Sequence, residues 1–429
     1  MAFLGMRGTG DWATDERPLN WRQGILRLYP NGAAPLTGLL SKMGSERVND
    51  PQFHWWTKTL AAQGGAVTGV FTNAGLSNAY VSGGVVGDTV YFKMAELVSS
   101  EFREGHQVLL RDADHIDVDV NGKVTAVVKN GASSYIAVKL LEADDNGAST
   151  DLSDCDTALI IGNINAEGAP IPSSLVYDPT KWFNYTQIFR NSLEITRTAR
   201  RTMLRTEDSY KEAKRESLEY HSIEMEKAFL FGIRSENTGV NGKPERTTMG
   251  LIPATKAGAP NNTSDFTLSA AYSGQLWLEG GENWLDSMLE VIFRYGSMEK
   301  MAFIGSAALL GINRLAKSSG QIQLTPMTVS YGLKVMEWIT PFGVIYLKTH
   351  PLFSYEATTR NAMIVFEPMN LKYRFIDDTT FMSAPDNEVD SSHERFDGTM
   401  EEWLTECGLE YHHPTTFGWL TGIGNNNIV

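Results

Sequence analysis

The motif with the clearest chemical meaning is Asp117-Val-Asp119-Val-Asn121-Gly122, which matches the opening of an EF-hand calcium loop. Such a loop needs a bidentate glutamate at its twelfth position, and that position is Val128 here. The alternating valines and the Asn-Gly pair are also typical of a β-strand that runs into a hairpin turn. The sequence therefore favours a strand and a turn over a calcium site.

A second candidate is the pair His221 and Glu224, which stand at i and i+3 on a predicted helix. Carboxylate-bridged metal sites use this spacing, but they need such a pair from each of two helices, and the sequence has no second copy. None of the eight histidines forms an H-x-x-x-H motif. His412 and His413 are adjacent, so on a strand their side chains would point to opposite faces. We expect no metal site.

Other catalytic signatures are missing from the sequence. It contains no phosphate-binding P-loop, no dinucleotide-binding G-x-G-x-x-G between a strand and a helix, and no G-x-S-x-G nucleophile elbow. Cys155 and Cys407 lie far apart without a C-x-x-C motif, which excludes a disulfide framework and a cysteine zinc site and fits a reducing compartment. We therefore predict no catalytic residues, no cofactor and no metal, and we favour a structural or binding role.

Composition narrows the class of protein further. The 429 residues suit two or three modules, and 42% hydrophobic with 21% charged residues excludes a mostly disordered chain. No apolar stretch is long enough for a membrane span, and the first residues lack the pattern of a signal peptide. The net charge of −14 argues against a protein that grips nucleic acid through a basic face.

The N-terminal third of the chain contains little helical periodicity. The first fifty residues mix Gly, Pro, Trp and Arg without a sustained period, and tryptophans such as Trp12 and Trp21 would be costly to leave in water. We expect an arm that docks on its own core or on a neighbouring subunit. The Gly-rich stretch 63–87 is expected to form an extended excursion.

Residues 105–165 have the pattern of a small antiparallel β meander or barrel. Three Asn-Gly pairs, at Asn121, Asn130 and Asn146, separate runs that alternate between apolar and polar residues. Asn-Gly tolerates the positive φ of type I′ turns, so each pair predicts a hairpin. We interpret this region as an inserted and detachable module.

An aromatic segment and a long polar helix follow. Trp182, Phe183 and Phe189 lack helical spacing, which indicates a strand, and we expect this strand to adhere to a neighbouring subunit. Over residues 206–232 the pattern becomes helical, and Gly232 can end the helix. The apolar stripe of this helix is narrow, so we do not expect core on all of its sides.

The rest of the chain alternates helices and strands. Asn283 can cap a helix that ends at Gly296, and residues 301–305 predict a strand followed by a helix over 306–317. Residues 334–350 predict a hairpin that turns at Pro341-Phe342-Gly343. Further strands are expected towards the C-terminus, in NAMIVF, LKYRF and TECGLEYHH.

Three stretches carry a resemblance to a known family: APLTGLLSKM at 34–43, DPQFHWWTKTL at 50–60 and NYTQIFRNSLEITRTA at 184–199. In this order, before a long polar helix, they resemble the major capsid proteins of tailed bacteriophages with the Hong Kong 97-like fold. The resemblance covers residues 33–423 and is weakest across 100–170. It implies an α+β chain in which the β module is an insertion.

The resemblance also implies a division into domains, with the following bounds: an N-terminal arm at 1–50; an extended loop with flanking strands at 51–104 and 166–202; the inserted β module at 105–165; a peripheral domain at 203–249 and 356–429 with its spine helix at 206–232; and an axial domain at 250–355. No Lys–Asn crosslink and no N-terminal scaffolding extension is assigned. Scaffolding, if needed, would be a separate chain.

The function implied by the resemblance is that of a major capsid protein without enzymatic activity. It would assemble with itself into hexamers and pentamers of an icosahedral shell, which encloses double-stranded DNA without sequence-specific binding. Scaffolding, decoration and portal proteins are further expected partners, the virion is the expected location, and assembly would take place in the host cytoplasm. Two alternatives stay open at this point: a multidomain hydrolase with an unrecognised carboxylate site, and a β-rich binding or adhesion module.

Nine side chains are candidates for the assembly interface. They combine apolar side chains of the arm and the aromatic strand with charges that can pair at i and i+4 on the helix. The candidates are Trp12, Trp21, Trp182, Phe183, Phe189, Glu207, Lys211, Arg215 and Glu219.

Overall fold

The computed structural model describes residues 44–58, 63–115, 118–144, 151–202, 209–319, 323–328, 334–383 and 398–427. Most of the expected N-terminal arm lies outside these ranges, as do Trp12, Trp21 and Glu207. In the described ranges the chain forms two compact units. Residues 44–55 with 181–427 belong to one, which we name the body, and residues 56–180 form the other, which we name the barrel module.

The elements of the described residues are mostly strands. The strands are β1 Ser45–Arg47, β2 Gln52–Thr57, β3 Gly64–Phe71, β4 Thr89–Met94, β5 His106–Arg111, β6 Asp119–Val128, β7 Tyr135–Leu140, β8 Thr157–Asn163, β9 Thr180–Tyr185, β10 Gln187–Thr196, β11 Ser235–Thr238, β12 Pro244–Thr247, β13 Thr263–Asp265, β14 Glu299–Ile304, β15 Gln323–Thr328, β16 Lys334–Thr340, β17 Gly343–Thr349, β18 Met363–Phe366, β19 Leu371–Ser383, β20 Gly398–Tyr411 and β21 Gly418–Thr421. The helices are α1 Glu96–Ser99, α2 Arg197–Arg201, α3 Ser209–Phe231, α4 Leu251–Gly258, α5 Trp277–Phe293, α6 Ser306–Ser319 and α7 Pro351–Tyr355.

The barrel module is a closed barrel with the strand order β3-β4-β7-β6-β5-β8. Its strands alternate in the way that a barrel with a packed interior requires: Val90, Phe92 and Met94 of β4 and Val108 and Leu110 of β5 all point into the core. The predicted antiparallel meander or barrel is therefore confirmed as a closed barrel.

The start of the module differs from the prediction. The barrel begins at Gly64 rather than at residue 105, because β3 and β4 are two of its strands. The glycines of β3 allow close packing rather than free movement: a Cβ on Gly64 would stand 2.6 Å from the carbonyl oxygen of Ala158, and one on Gly65 would stand 2.4 Å from Val98. The expectation of an extended excursion over 63–87 is thus wrong for Gly64–Phe71.

The three predicted Asn-Gly turns have different outcomes. Asn121 and Gly122 lie inside the continuous strand β6, so the first turn is wrong. Gly122 is needed there because a Cβ would stand 2.2 Å from the Cγ1 atom of the buried Val138. Asn130 and Gly131 do connect β6 to β7, and Gly131 has a φ of +53°. Asn146 lies outside the described residues.

One part of the body is a four-stranded sheet, in the order β1-β19-β20-β10, against which the long helix α3 packs. β10 and β20 pair from Gln187 opposite Cys407 to Thr196 opposite Gly398, which confirms the predicted aromatic strand. The described part of the predicted spine helix is also helical and ends just before Gly232. An added Cβ on Gly232 would stand 2.4 Å from the Ala228 carbonyl oxygen, so only glycine fits.

The other part of the body is a seven-stranded sheet in the order β13-β21-β18-β14-β17-β16-β15, with α5 and α6 packed on it. The predicted strand over 301–305, the helix after it and the hairpin β16–β17 are confirmed. α5 starts at Trp277, before the predicted cap at Asn283, because the carboxylate of Glu279 accepts the Leu276 N–H at 3.1 Å.

The seven-stranded sheet also extends past the predicted axial boundary at residue 355. β18 and β21 are inner strands of this sheet, and all four residues of β18 are buried. A fully apolar strand of this kind must be covered on both faces, so it cannot be separated from β14, its antiparallel neighbour. The seven-stranded sheet therefore takes strands both from the predicted axial domain and from residues 356–427, which the resemblance assigns to the peripheral domain.

Candidate functional site

The residues Asp119 to Gly122 of the calcium-like motif lie on strand β6, in the wall of the barrel. Asp119 lies on β6, where its carboxylate is 3.4 Å from the guanidinium of Arg111 on β5. Asn121 uses its side-chain amide to bind Glu142 at 2.8 Å. Asp117 lies outside the described residues. These contacts hold neighbouring segments of the barrel together, as the strand interpretation predicts.

His221 attaches the long helix to the four-stranded sheet. It is buried on α3, where Nδ1 lies 2.6 Å from Asn191 Oδ1 and Nε2 lies 2.7 Å from the Thr405 hydroxyl oxygen, both within hydrogen-bond distance. Burial lowers the pKa of His221, against the opposing charge of the exposed Glu224. The neutral ring thus bridges α3 to β10 and β20, which explains the His221–Glu224 pair without a metal.

Lys300 is a charged side chain at the centre of the body. Its Nζ donates to Glu367 Oε1 at 2.8 Å and to the carbonyl oxygens of Tyr295 at 3.1 Å and Thr416 at 3.0 Å. Burial lowers the pKa of Lys300, and the contact with Glu367 opposes this shift. All three ammonium protons have acceptors, so the geometry is that of a structural ion pair.

Two further buried contacts join distant segments. His350 Nε2–H donates to Glu226 Oε1 of α3 at 2.8 Å, and both side chains are fully buried. Asn184, also fully buried, donates to the carbonyl oxygen of Leu409 at 2.7 Å and accepts the N–H of Met249 at 2.8 Å. Sequence reasoning missed both contacts, because a single polar residue in a helix, strand or loop gives no sign of burial.

The two cysteines have no nucleophilic character. Burial raises the pKa of the Cys155 thiol to about 12 and that of the Cys407 thiol to about 12 as well. Both thiols are therefore protonated at neutral pH. Across the described ranges, no group of three or more His, Cys, Asp or Glu side chains converges on a point that could hold a metal ion.

The polar clusters of the body are therefore structural, and the features that can act on another molecule are surfaces. Among the described helices, none combines the length and the apolar character that crossing a membrane requires. The outer stripe of α3 is exposed at Lys211 and Arg215 and partly exposed at Glu219. These three predicted interface residues follow one another at i, i+4 and i+8, so they share one face of the helix.

The aromatic candidates have a different position. Phe189 is 6% exposed and packs edge-on against His221 in the body's own core. Trp182 packs edge-on to Tyr411, and Phe183 lies under the Arg234 guanidinium, 3.8 Å from the ring centre. The expectation that this strand depends on a neighbour for burial is wrong for Phe189, because ten paired positions with β20 already fix the strand in its own subunit.

The structure adds a surface that the sequence did not indicate. An open groove of about 700 Å³ lies at the C-terminal end of α3. We name it the α3 groove; its lining is mostly apolar and consists of Lys227, Phe231, Leu352, Tyr355 and Glu356. Phe231 and Tyr355 are 36% and 70% exposed. An apolar groove with charged ends is a common form of protein interaction site.

The comparisons with known proteins agree with a surface-based role. The profile of the SU10 major capsid protein family matches residues 9–424. The major capsid protein of Pseudomonas phage PaMx41 is 24% identical over 360 residues, which cover 82% of this chain and 77% of that protein. Among solved structures, a chain of Mycobacterium phage Bobi aligns at 8% identity and a TM-score of 0.46, covering 95% of this chain and 96% of that one. A chain of Microbacterium phage Oxtober96 aligns at 9% identity and a TM-score of 0.44, covering 96% and 98%.

The family match extends over nearly the whole chain, so the resemblance predicted from three short stretches is confirmed. The mixed helices and strands, with a long helix on a four-stranded sheet, confirm the expected α+β, Hong Kong 97-like fold class. The chain therefore belongs to the SU10 major capsid protein family and builds the virion shell of a tailed phage from oligomeric capsomers.

Proposed function

We propose that this chain assembles with itself into hexameric and pentameric capsomers of an icosahedral shell, without catalysing a reaction. The shell encloses double-stranded DNA and does not bind a particular base sequence. The net charge of −14 supports this part, because a strongly basic lining would hold phosphates tightly. The hydrolase and adhesion alternatives have no support in the family match.

The observation that carries the proposal is the outer surface of α3. Lys211 and Arg215 are exposed near the start of α3, and Lys227 and Phe231 are exposed near its end, where the α3 groove opens. An isolated subunit leaves this apolar lining in water, whereas an assembled one can bury it. We assign the stripe and the groove to contacts between neighbouring subunits, with Glu219 as the acidic member of the stripe.

The remaining partners follow from the same role. A shell of this kind has scaffolding, decoration and portal proteins as its expected partners, and assembly takes place in the host cytoplasm before the virion is released. Trp12, Trp21 and Glu207 stay candidates for the contacts of the N-terminal arm and the start of the helix. Trp182 and Phe183 are partly exposed and stay candidates as well.

A pair of aromatic substitutions tests the assignment. Tyr355→Ala removes an exposed ring from the α3 groove, and we expect fewer or less heat-stable particles with an unchanged unfolding free energy of the unassembled subunit. Phe189→Ala is the matched control, because it removes a ring from the subunit's own core and costs about 3–5 kcal/mol of subunit stability. Normal particle yield and particle melting for Tyr355→Ala would contradict the groove as an interface.

A further inference from the structure

Two carboxylates are buried side by side in the barrel module. Asp144 is 3% exposed and Asp151 is 1% exposed. Asp144 Oδ2 accepts the N–H of Leu152 at 3.1 Å, and Leu152 directly follows Asp151 along the chain. Asp151 Oδ1 accepts the N–H of Ser153 at 2.9 Å. The two acidic residues thus belong to one polar cluster.

Tyr80 links this cluster to a second loop. Its hydroxyl donates to Asp144 Oδ2 at 2.6 Å and accepts the N–H of Gly84 at 2.8 Å. The hydroxyl therefore joins Gly84 to the Asp144 carboxylate, and the Leu152 N–H joins that carboxylate to the residue that follows Asp151.

Nothing in the described part of the chain neutralises these charges. Neither Asp144 nor Asp151 has an ion pair with a described Lys, Arg or His side chain, and residues 145–150 contain no basic residue. Asp144 Oδ1 is buried and finds no hydrogen-bond donor. Taking a carboxylate out of water costs several kcal/mol, and the hydrogen bonds to this pair leave Asp144 Oδ1 without a partner, so the pair calls for a compensating charge.

We propose that Asp144 and Asp151 bind a hard divalent cation such as Ca²⁺, with the unpartnered Oδ1 of Asp144 as one of its ligands. Carboxylate oxygens are the ligands that such cations prefer, and main-chain carbonyls and water complete the shell. With two carboxylates the site belongs to the weak class of calcium sites, with Kd of about 10⁻⁴–10⁻³ M. The cation would fasten Tyr80 and Gly84 to Leu152 and stabilise the barrel module.

Hydrogen exchange of the full-length protein tests this proposal locally. Bound Ca²⁺ slows the exchange of amides that exchange only when the site opens. At about 10 mM Ca²⁺ and a Kd of about 10⁻⁴ M, their exchange is up to about 100-fold slower than in EGTA at equal ionic strength. We expect this slowing in peptides that contain Gly84 and Leu152. Asp144→Asn and Asp151→Asn should abolish the response, while Asp154→Asn, an exposed neighbour with the same change of charge, should keep it.

Three results would overturn the proposal: no response of the parent protein to Ca²⁺, an undiminished response of Asp144→Asn, or an equal loss in Asp154→Asn. Terbium luminescence sensitised by Tyr80 provides a second measurement that does not depend on stability. Tyr80→Phe should reduce this luminescence, and added Ca²⁺ should displace the terbium and abolish it.

Discussion

The barrel module and the body bury their side chains by different means. The core of the barrel module is largely aliphatic, with valines such as Val108, Val124 and Val138 fully buried. The core of the body is rich in aromatic rings and contains buried polar contacts, among them Lys300 with Glu367. Every strand of a closed barrel is hydrogen-bonded to two neighbours, so the side chains of its interior only have to fill the enclosed space. The body joins segments far apart in sequence and uses specific bonds to fix them.

The largest expected effect concerns the limits of the barrel module. Replacing residues 105–165 by a Gly/Ser linker leaves β3 and β4 with only each other as partners and exposes Phe92 and Met94. We expect this variant to aggregate, whereas replacing Gly64–Asn163 should leave a soluble body. Of the ten tryptophans only Trp56 lies in residues 56–180, so tryptophan fluorescence reports the unfolding of the body. Soluble protein with a normal body transition after the shorter replacement would show that the barrel is not one cooperative unit.

The next effect breaks a polar contact of the body. Lys300→Met leaves Glu367 buried without its cation, which costs about 3–5 kcal/mol. The double variant Lys300→Met with Glu367→Gln removes the unpaired charge but keeps the acceptor for the Ser297 N–H, and should recover most of the loss. Urea unfolding followed by tryptophan fluorescence measures both variants. An unchanged midpoint for Lys300→Met would mean that the pair does not hold the body together.

A smaller effect tests the packing of the barrel. Gly122→Ala places a Cβ against Val138, which is buried and stiff, and should cost about 1–3 kcal/mol. Gly162→Ala on β8 is the matched control, since its Cβ would meet only Gln107 at 3.6 Å, and should change stability by less than about 0.5 kcal/mol. Hydrogen exchange of the amides in β6 and β7 measures the difference in stability between the two variants. Equal protection in the two variants would place Gly122 in a turn, as the sequence first indicated.

The smallest expected effect is a pH dependence in both regions. Burial lowers the pKa of His221 in the body and of His106 in the barrel module, where the charge of Arg103 adds to the shift. The folded protein then binds fewer protons than the unfolded chain, so stability falls as the pH drops below about 6.5 and through the folded pKa. His221→Gln should reduce this loss in the body and His106→Gln in the barrel module, as measured by urea unfolding and hydrogen exchange at about pH 7.5 and about pH 5.5. Identical pH profiles for parent and variants would assign the dependence to other groups.

The elements predicted from the sequence are those with a regular period. The hairpin 334–349, the described part of helix 206–232 and the strands β14 and β18 have patterns that local packing alone determines. Strand β3 was missed because Gly64, Gly65 and Gly69 interrupt its pattern, and a bulge between Val67 and Gly69 places the buried Val67 and Val70 three residues apart. Glycine in a strand allows close contacts that only the partner strand reveals.

The site was less predictable than the fold. Lys211 and Arg215 are exposed as expected, because helical spacing alone places them on one face. Phe189 was assigned to the surface, although pairing with a strand more than 200 residues later buries it. The α3 groove depends on Leu352 and Tyr355, which come next to Phe231 only in the folded chain. Contacts between distant segments leave no local signal in the sequence.

The proposed function requires that this chain close a shell from repeated copies of itself. Cryo-electron microscopy of the purified full-length chain under assembly conditions tests this requirement. We expect closed particles in which six-fold and five-fold capsomers can be distinguished. Particles should become rarer with Tyr355→Ala and persist when Gly64–Asn163 is replaced. Only small closed oligomers of fixed size, without shells under any assembly condition, would contradict the account.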